Sequence, residues 1–171
     1  MHKIELIMSP HPFFDGMTEH HLKLLAEGAS RTHFHKGTFI FREGELANRF
    51  YLIQQGSVSL ESPVNEDSRV ALQTLSSGDV LGWSWLFAPY HWHFDARALE
   101  DTEALVMFGT RLRELCESDK TLGYEIMKRV AEVVIKRLQT TRLKLAGDGE
   151  NLEIDQRSTP SPHSSNAATG A

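Results

Sequence analysis

The chain has 171 residues, of which 40% are hydrophobic and 24% charged, and a formal net charge of −5. That length holds one domain with a sizeable core plus an appendage rather than two domains, and the composition is that of an ordinary globular protein. The acidic balance offers no nucleic-acid surface, and no apolar run approaches membrane-spanning length. The single cysteine, Cys116, cannot form an intramolecular disulfide. With no secretory pattern ahead of Pro10, the expectation is a reducing cytoplasm, with Cys116 a buried structural thiol on an apolar helical face.

The opening His11-Pro12-Phe13-Phe14-Asp15-Gly16-Met17 is turn-rich and aromatic. Thr18 then suits a helix N-cap and Glu19 the first turn of a short helix carrying Leu22, Leu24 and Leu25, with His20 and His21 expected in solvent. From Thr32 the period falls to two. Short alternating runs around Phe34, Phe39 and Phe41, Phe50 to Ile53, Val58 and Leu60, and Val70 to Leu75 are separated by glycine-bearing or polar turns. After them, Phe94, Ala96 and Ala98 alternate with Asp95, Arg97 and Leu99, and Ala104 to Phe108 completes the set. This predicts a mainly β fold with flanking helices, its strands forming a closed or nearly closed antiparallel jelly-roll barrel over residues 10–120.

After Gly109 the pattern is helical. Tyr124, Met127, Ala131, Val134, Leu138, Thr141 and Leu145 follow heptad spacing, and Ile126, Val130 and Val133 form a second stripe beside them. One stripe suits the barrel and the other a partner helix, so a homodimer through Met127, Ala131, Val134, Leu138 and Leu145 is expected. The helix is predicted over 121–147, stopped by Gly147-Asp148-Gly149. The rest, 148–171, is small, polar and proline-bearing, which predicts disorder.

The stretch Leu81 to Ala98 holds all three tryptophans with two phenylalanines, a tyrosine, two histidines, an aspartate and an arginine. Aromatic rings bury large areas while offering N–H or O–H groups, so this density suits a ligand pocket, and equally a packed loop or an interface.

The order of these signals resembles the cyclic nucleotide-binding domain, as in the catabolite activator and related bacterial regulators. The likeness rests on Lys36-Gly37-Thr38-Phe39-Ile40-Phe41-Arg42-Glu43-Gly44-Glu45, on Asn48 to Val58 with Gly56, and on Leu75-Ser76-Ser77-Gly78-Asp79-Val80-Leu81-Gly82. It covers residues 10 to 146. The resemblance implies a phosphate-binding cassette beginning at Gly82 and a regulatory, non-enzymatic role, with cAMP or another cyclic nucleotide as ligand and no further cofactor. It also implies departures: Trp83 stands where the family has a ribose-binding glutamate, and Trp92 where it has a phosphate-binding arginine, with His93 beside it. Thr141 matches a threonine that contacts the adenine, and Arg142 replaces the serine after it; Thr141 also falls on the heptad seam, where a polar residue sets register. The implied ligand contacts are therefore Gly82, Trp83, Ser84, Trp85, Trp92, His93, Phe94, Thr141 and Arg142. Relatives that control transcription carry a helix-turn-helix after the long helix, and no such pattern follows here, so direct DNA binding is not expected.

Other constellations carry less. His33 and His35, and likewise His91 and His93, are spaced to share strand faces as in metal-binding cupins, but Ile40 occupies the place where that motif needs a glutamate, and no metal is assigned. Ser84, His93 and Asp95 have the residue types of a hydrolytic triad without a nucleophile elbow. Asp95 and Arg97 suit a solvated strand face. Three readings stand: a small-ligand sensor signalling through the C-terminal helix, a ligand-free protein-docking module with a tryptophan-filled pocket, and a metal-dependent cupin-type enzyme.

Overall fold

The computed structural model describes residues 3–157, with side chains to Gly147. It contains helices α1 (Lys3–Met8) and α2 (Glu19–Ala26), strands β1 (Ala29–Phe34), β2 (Phe39–Phe41), β3 (Arg49–Gln55), β4 (Ser57–Pro63), β5 (Arg69–Ser76), β6 (Val80–Leu81), β7 (Asp95–Ala98) and β8 (Thr102–Phe108), then α3 (Gly109–Ser118) and α4 (Lys120–Arg157). Thr18 caps α2 as its sequence suggests, its hydroxyl accepting the His21 N–H at 3.3 Å.

The strands form two four-stranded antiparallel sheets, ordered β1-β8-β3-β6 and β2-β7-β4-β5. They are not closed into a barrel: the jelly-roll arrangement is present, but among the described residues no ladder joins the two sheets. Gly56 turns β3 into β4 at φ +100°, and a Cβ there would lie 2.5 Å from Thr102 Oγ1, so that corner admits only glycine.

Strand β3 explains how the layers stack. Phe50 and Leu52 lie in one apolar cluster with Phe13, Phe14, Leu25, Leu105, Met107, Leu112, Leu122 and Ile126. Tyr51 and Ile53 lie in the other, with Phe41, Val58, Leu60, Leu75, Leu81, Trp92 and Ala96. Successive strand residues face opposite ways, so the first cluster is the helix-covered face of the β1-β8-β3-β6 sheet and the second fills the space between the sheets. A strand buried on both faces shows no polar alternation, which is why Phe50-Tyr51-Leu52-Ile53 reads as a continuous apolar run.

The chain divides into two compact units, Met1–Ile135 and a second beginning at Lys136. Within the first, Ile126 and Val130 are buried and Val133 packs beside them, so the second apolar stripe of α4 is covered. On the heptad seam, Tyr124, Met127 and Val134 are exposed, as are Leu138 and Leu145 on the part of the helix in the second unit. Helix α4 runs through Gly147-Asp148-Gly149 to Arg157, so the expected stop is not made there. Helical glycine costs only about 1 kcal/mol relative to alanine and does not by itself end a helix. The expected disordered tail lies, from residue 158 onward, outside the described residues. Among the described residues no helix is long and apolar enough to cross a membrane.

His21 departs from expectation. It is buried, and its Nε2 lies 3.2 Å from Oδ2 of Asp119, a residue ahead of α4 whose Oδ1 accepts the Thr121 and Leu122 N–H groups. A contact spanning 98 residues leaves no trace in local periodicity. Cys116 is half-buried, and burial raises its thiol pKa, in keeping with a structural role.

Candidate functional site

The tryptophan-rich stretch connects the two sheets. Strand β6 pairs with β3 and ends at Gly82, which turns the chain at φ +85°. A 3-10 turn, Ser84–Leu86, follows, and after a cis Ala88-Pro89 bond and Tyr90 at φ 58° the chain enters β7. The returning segment is laced to the loop between β2 and β3: Trp92 N–H donates to Glu45 O at 2.9 Å, Gly44 N–H to Trp92 O at 2.9 Å, and Ala47 N–H to Tyr90 O at 2.6 Å. Arg113 holds the other side, donating to Trp85 O at 2.6 Å with its guanidinium 4.4 Å from the Tyr90 ring centroid.

The three indoles go to different places. Trp92 enters the space between the sheets, where it is 4% exposed and stacks on Phe41 with centroids 3.9 Å apart and planes 11° apart. Its six-membered ring closes over Gly82 so tightly that a Cβ there would lie 2.7 Å from Trp92 Cη2 and 2.8 Å from Cζ3. Trp85 faces the other way: fully buried in the helix-covered cluster, it lies tilted against Phe50 and beneath Gly109. The expectation that Trp85 lines the same pocket as Trp92 is thus corrected, because the turn after Gly82 sends it to the opposite side of β3. Trp83 is half-buried and meets Phe94 edge-on at 6.2 Å.

Of the other residues implied as ligand contacts, Ser84 is buried, Phe94 half-buried and His93 exposed. Thr141 and Arg142 are exposed residues of α4 in the second unit. The structure therefore brings Gly82 together with Trp92, and Trp83 with Phe94. Trp92 belongs to the apolar cluster that holds Phe41, Ala47, Tyr51, Leu81 and Ala96, with the Arg49 guanidinium beside the Tyr51 hydroxyl.

Beyond the loop, β7 carries charges that sequence reading placed in solvent. Asp95 is buried: it accepts Arg69 Nε at 2.7 Å and the Glu43 N–H at 2.8 Å, with Arg42 Nη1 at 3.9 Å. Burial pushes its carboxyl pKa up, but Arg69, the Glu43 N–H and Arg42 outweigh burial and hold it below the ordinary carboxylate value. Glu61 on β4, opposite Asp95, is equally buried and accepts Arg97 Nη2 at 2.6 Å. The guanidiniums of Arg42, Arg69 and Arg97 lie 3.6, 5.1 and 5.9 Å from the Phe39 centroid. The expected solvated strand face is replaced by two separate ion pairs, Asp95 with Arg69 and Arg97 with Glu61, beside a shared aromatic ring. With its carboxylate committed to Arg69 and Glu43, Asp95 has no role for a triad with Ser84 and His93.

Two sheets enclosing a glycine-turned cassette between β6 and β7, followed by a long helix, define a domain of the jelly-roll ligand-pocket class. Residues 31–119 match the family model of the cyclic nucleotide-binding domain, and the chain belongs to that family of regulatory domains. It is similar to a protein of Geobacter metallireducens GS-15 described as cyclic nucleotide-binding, with 32% identity over 81% of this chain and 99% of that one and a TM-score of 0.71. It is 29% identical over 107 residues to the anaerobic regulatory protein of Bacillus subtilis, covering 62% of this chain but only 45% of that relative. In fold it also resembles the regulatory subunit of a cAMP-independent protein kinase A from Trypanosoma brucei, with a TM-score of 0.63 and 21% identity over 76% of this chain and 46% of that one.

Proposed function

We propose that this chain is a regulatory domain of the cyclic nucleotide-binding family whose ligand space is filled by its own Trp92, so that it acts as a ligand-free module paired with a second copy of itself. One observation carries the reading: the Trp92 ring stacked on Phe41 and closed over Gly82, where the family's cassette would receive a cyclic phosphate.

The magnitudes favour closure. An aromatic side chain buries about 150–250 Å², which at roughly 25 cal/mol per Å² makes a seated indole worth about 4–6 kcal/mol, an upper bound. A nucleotide entering the site would have to offset this and would also forgo the charge-assisted contact, worth about 1.5–3 kcal/mol, that the family's cassette arginine makes, since Trp92 stands at that position. The two together are comparable with the whole of a micromolar affinity, about 8 kcal/mol. On this reading cAMP is expected not to bind the wild-type pocket at micromolar concentration.

The exposed apolar seam of α4, which includes Met127, Val134, Leu138 and Leu145, supports self-association, with Ala131 and Thr141 as the small and polar positions between. Indole emission tests the closed pocket. Adding millimolar cAMP or cGMP is expected to leave the fluorescence unchanged, and a saturable change at micromolar nucleotide would overturn the reading in favour of a sensor.

A further inference from the structure

On the open edge of the β1-β8-β3-β6 sheet, well away from the tryptophan loop in sequence, two histidines and an aspartate converge. His33 lies in β1, one residue before its end, and His35 follows it by two residues. The antiparallel register sets His33 opposite Glu103 and Phe34 opposite Thr102, so Asp101, just before β8, falls opposite His35. One ligand atom from each of His33, His35 and Asp101 lies within 4.8 Å of the other two. The imidazoles meet edge-to-face with centroids 4.7 Å apart, and His35 Nδ1 is 3.8 Å from Asp101 Oδ1.

The geometry points to a surface site for a divalent transition-metal ion held by His33, His35 and Asp101. Two imidazoles and one carboxylate are the donor set of zinc and its neighbours in the first transition row. At metal–donor distances of about 2.0–2.1 Å, tetrahedral donors stand roughly 3.4 Å apart. The cluster's widest separation must close by up to about 1.4 Å, which side-chain rotations supply, since His35 is 81% and Asp101 66% exposed. The aspartate is already oriented: Asp101 Oδ1 accepts the Lys36 N–H at 2.9 Å, the kind of outer hydrogen bond that fixes a metal-binding carboxylate. A depression of about 310 Å³ lined by Arg31, Thr32, His33, Gln54, Glu103 and Ala104 adjoins the cluster and leaves room for water on the open side of the ion. The third ligand that the strand sequence lacks is supplied by a turn 66 residues beyond His35, across the β1–β8 ladder.

Calorimetric titration of the full chain with Zn²⁺ at pH 7.5 tests this. One ion per chain at micromolar affinity is expected. His33→Ala, His35→Ala and Asp101→Asn should each weaken binding by about 10-fold or more, while exposed His20→Ala should leave it unchanged. As a second readout, Cu²⁺ bound to the chain should show electron-spin coupling to two nitrogen donors, and to one in His35→Ala. Absence of binding at millimolar Zn²⁺, or an affinity unchanged in the His33→Ala/His35→Ala double variant, would overturn the assignment.

Discussion

Replacing Gly82 by alanine probes the closure of Trp92 over the cassette through stability alone. Gly82 sits at φ +85°, where a residue with a Cβ pays about 1–2 kcal/mol for the left-handed conformation. The new methyl would also fall 2.7 and 2.8 Å from two Trp92 ring carbons, with Arg49 O at 3.2 Å. Overpacking of this kind costs a further 1–3 kcal/mol or so, because a ring stacked at 3.9 Å on Phe41 has nowhere to retreat. Gly82→Ala should therefore cost about 2–5 kcal/mol in wild type. In a Trp92→Phe background, whose shorter ring lacks the offending atoms, it should cost only about 1–2 kcal/mol. The coupling of about 1–3 kcal/mol is read from a four-variant cycle of urea unfolding, as a midpoint shift on the order of 1 M. Equal costs in the two backgrounds would refute the placement of the indole over Gly82.

Further outcomes follow from the ion pairs and the helices. Asp95→Ala strips Arg69 and the Glu43 N–H of their acceptor and should cost about 3 kcal/mol, the low end for a buried pair because Arg69 and Arg42 are partly exposed. The Asp95 pKa is lowered on folding, so its contribution is present above the ordinary carboxylate pKa of about 4 and is lost as pH falls from there through the native value. Asp95→Asn should accordingly flatten the acid limb of a stability–pH profile, and an unchanged limb would contradict the assignment. Asp119→Ala removes the cap of α4 and the partner of His21, and should lower the melting temperature more than Asp119→Asn, which keeps a capping oxygen. If the chain self-associates as proposed, the wild type should sediment as a dimer and the Val134→Glu/Leu138→Glu variant as a monomer; the same mass for both would rule out the seam as the interface.

Much of this was legible in the sequence where local pattern and tertiary role coincide. Glycine turns and two-residue alternation marked the strands, Thr18 marked its helix, and the two stripes of α4 separated into a covered and an exposed set because helical spacing fixes which residues share a face. The tryptophan loop was recognisable as a special region, but not the division of its indoles, which depends on the φ +85° turn at Gly82. Asp95 and Glu61 sit at outward-facing strand positions, so their burial beneath Phe39 and the arginines is invisible to alternation. Asp119 reaches His21, and Asp101 reaches His35, across long sequence separations that only strand pairing and helix packing close.

Calorimetric titration with cAMP tests the central claim most directly, on the wild type and on a variant carrying Trp83→Glu and Trp92→Arg, which clears the indole and supplies the carboxylate and guanidinium of the family's cassette. Silence from the wild type and micromolar binding by the double variant is the predicted result. Micromolar binding by the wild type would contradict it, because Trp92 would then be no barrier to the nucleotide.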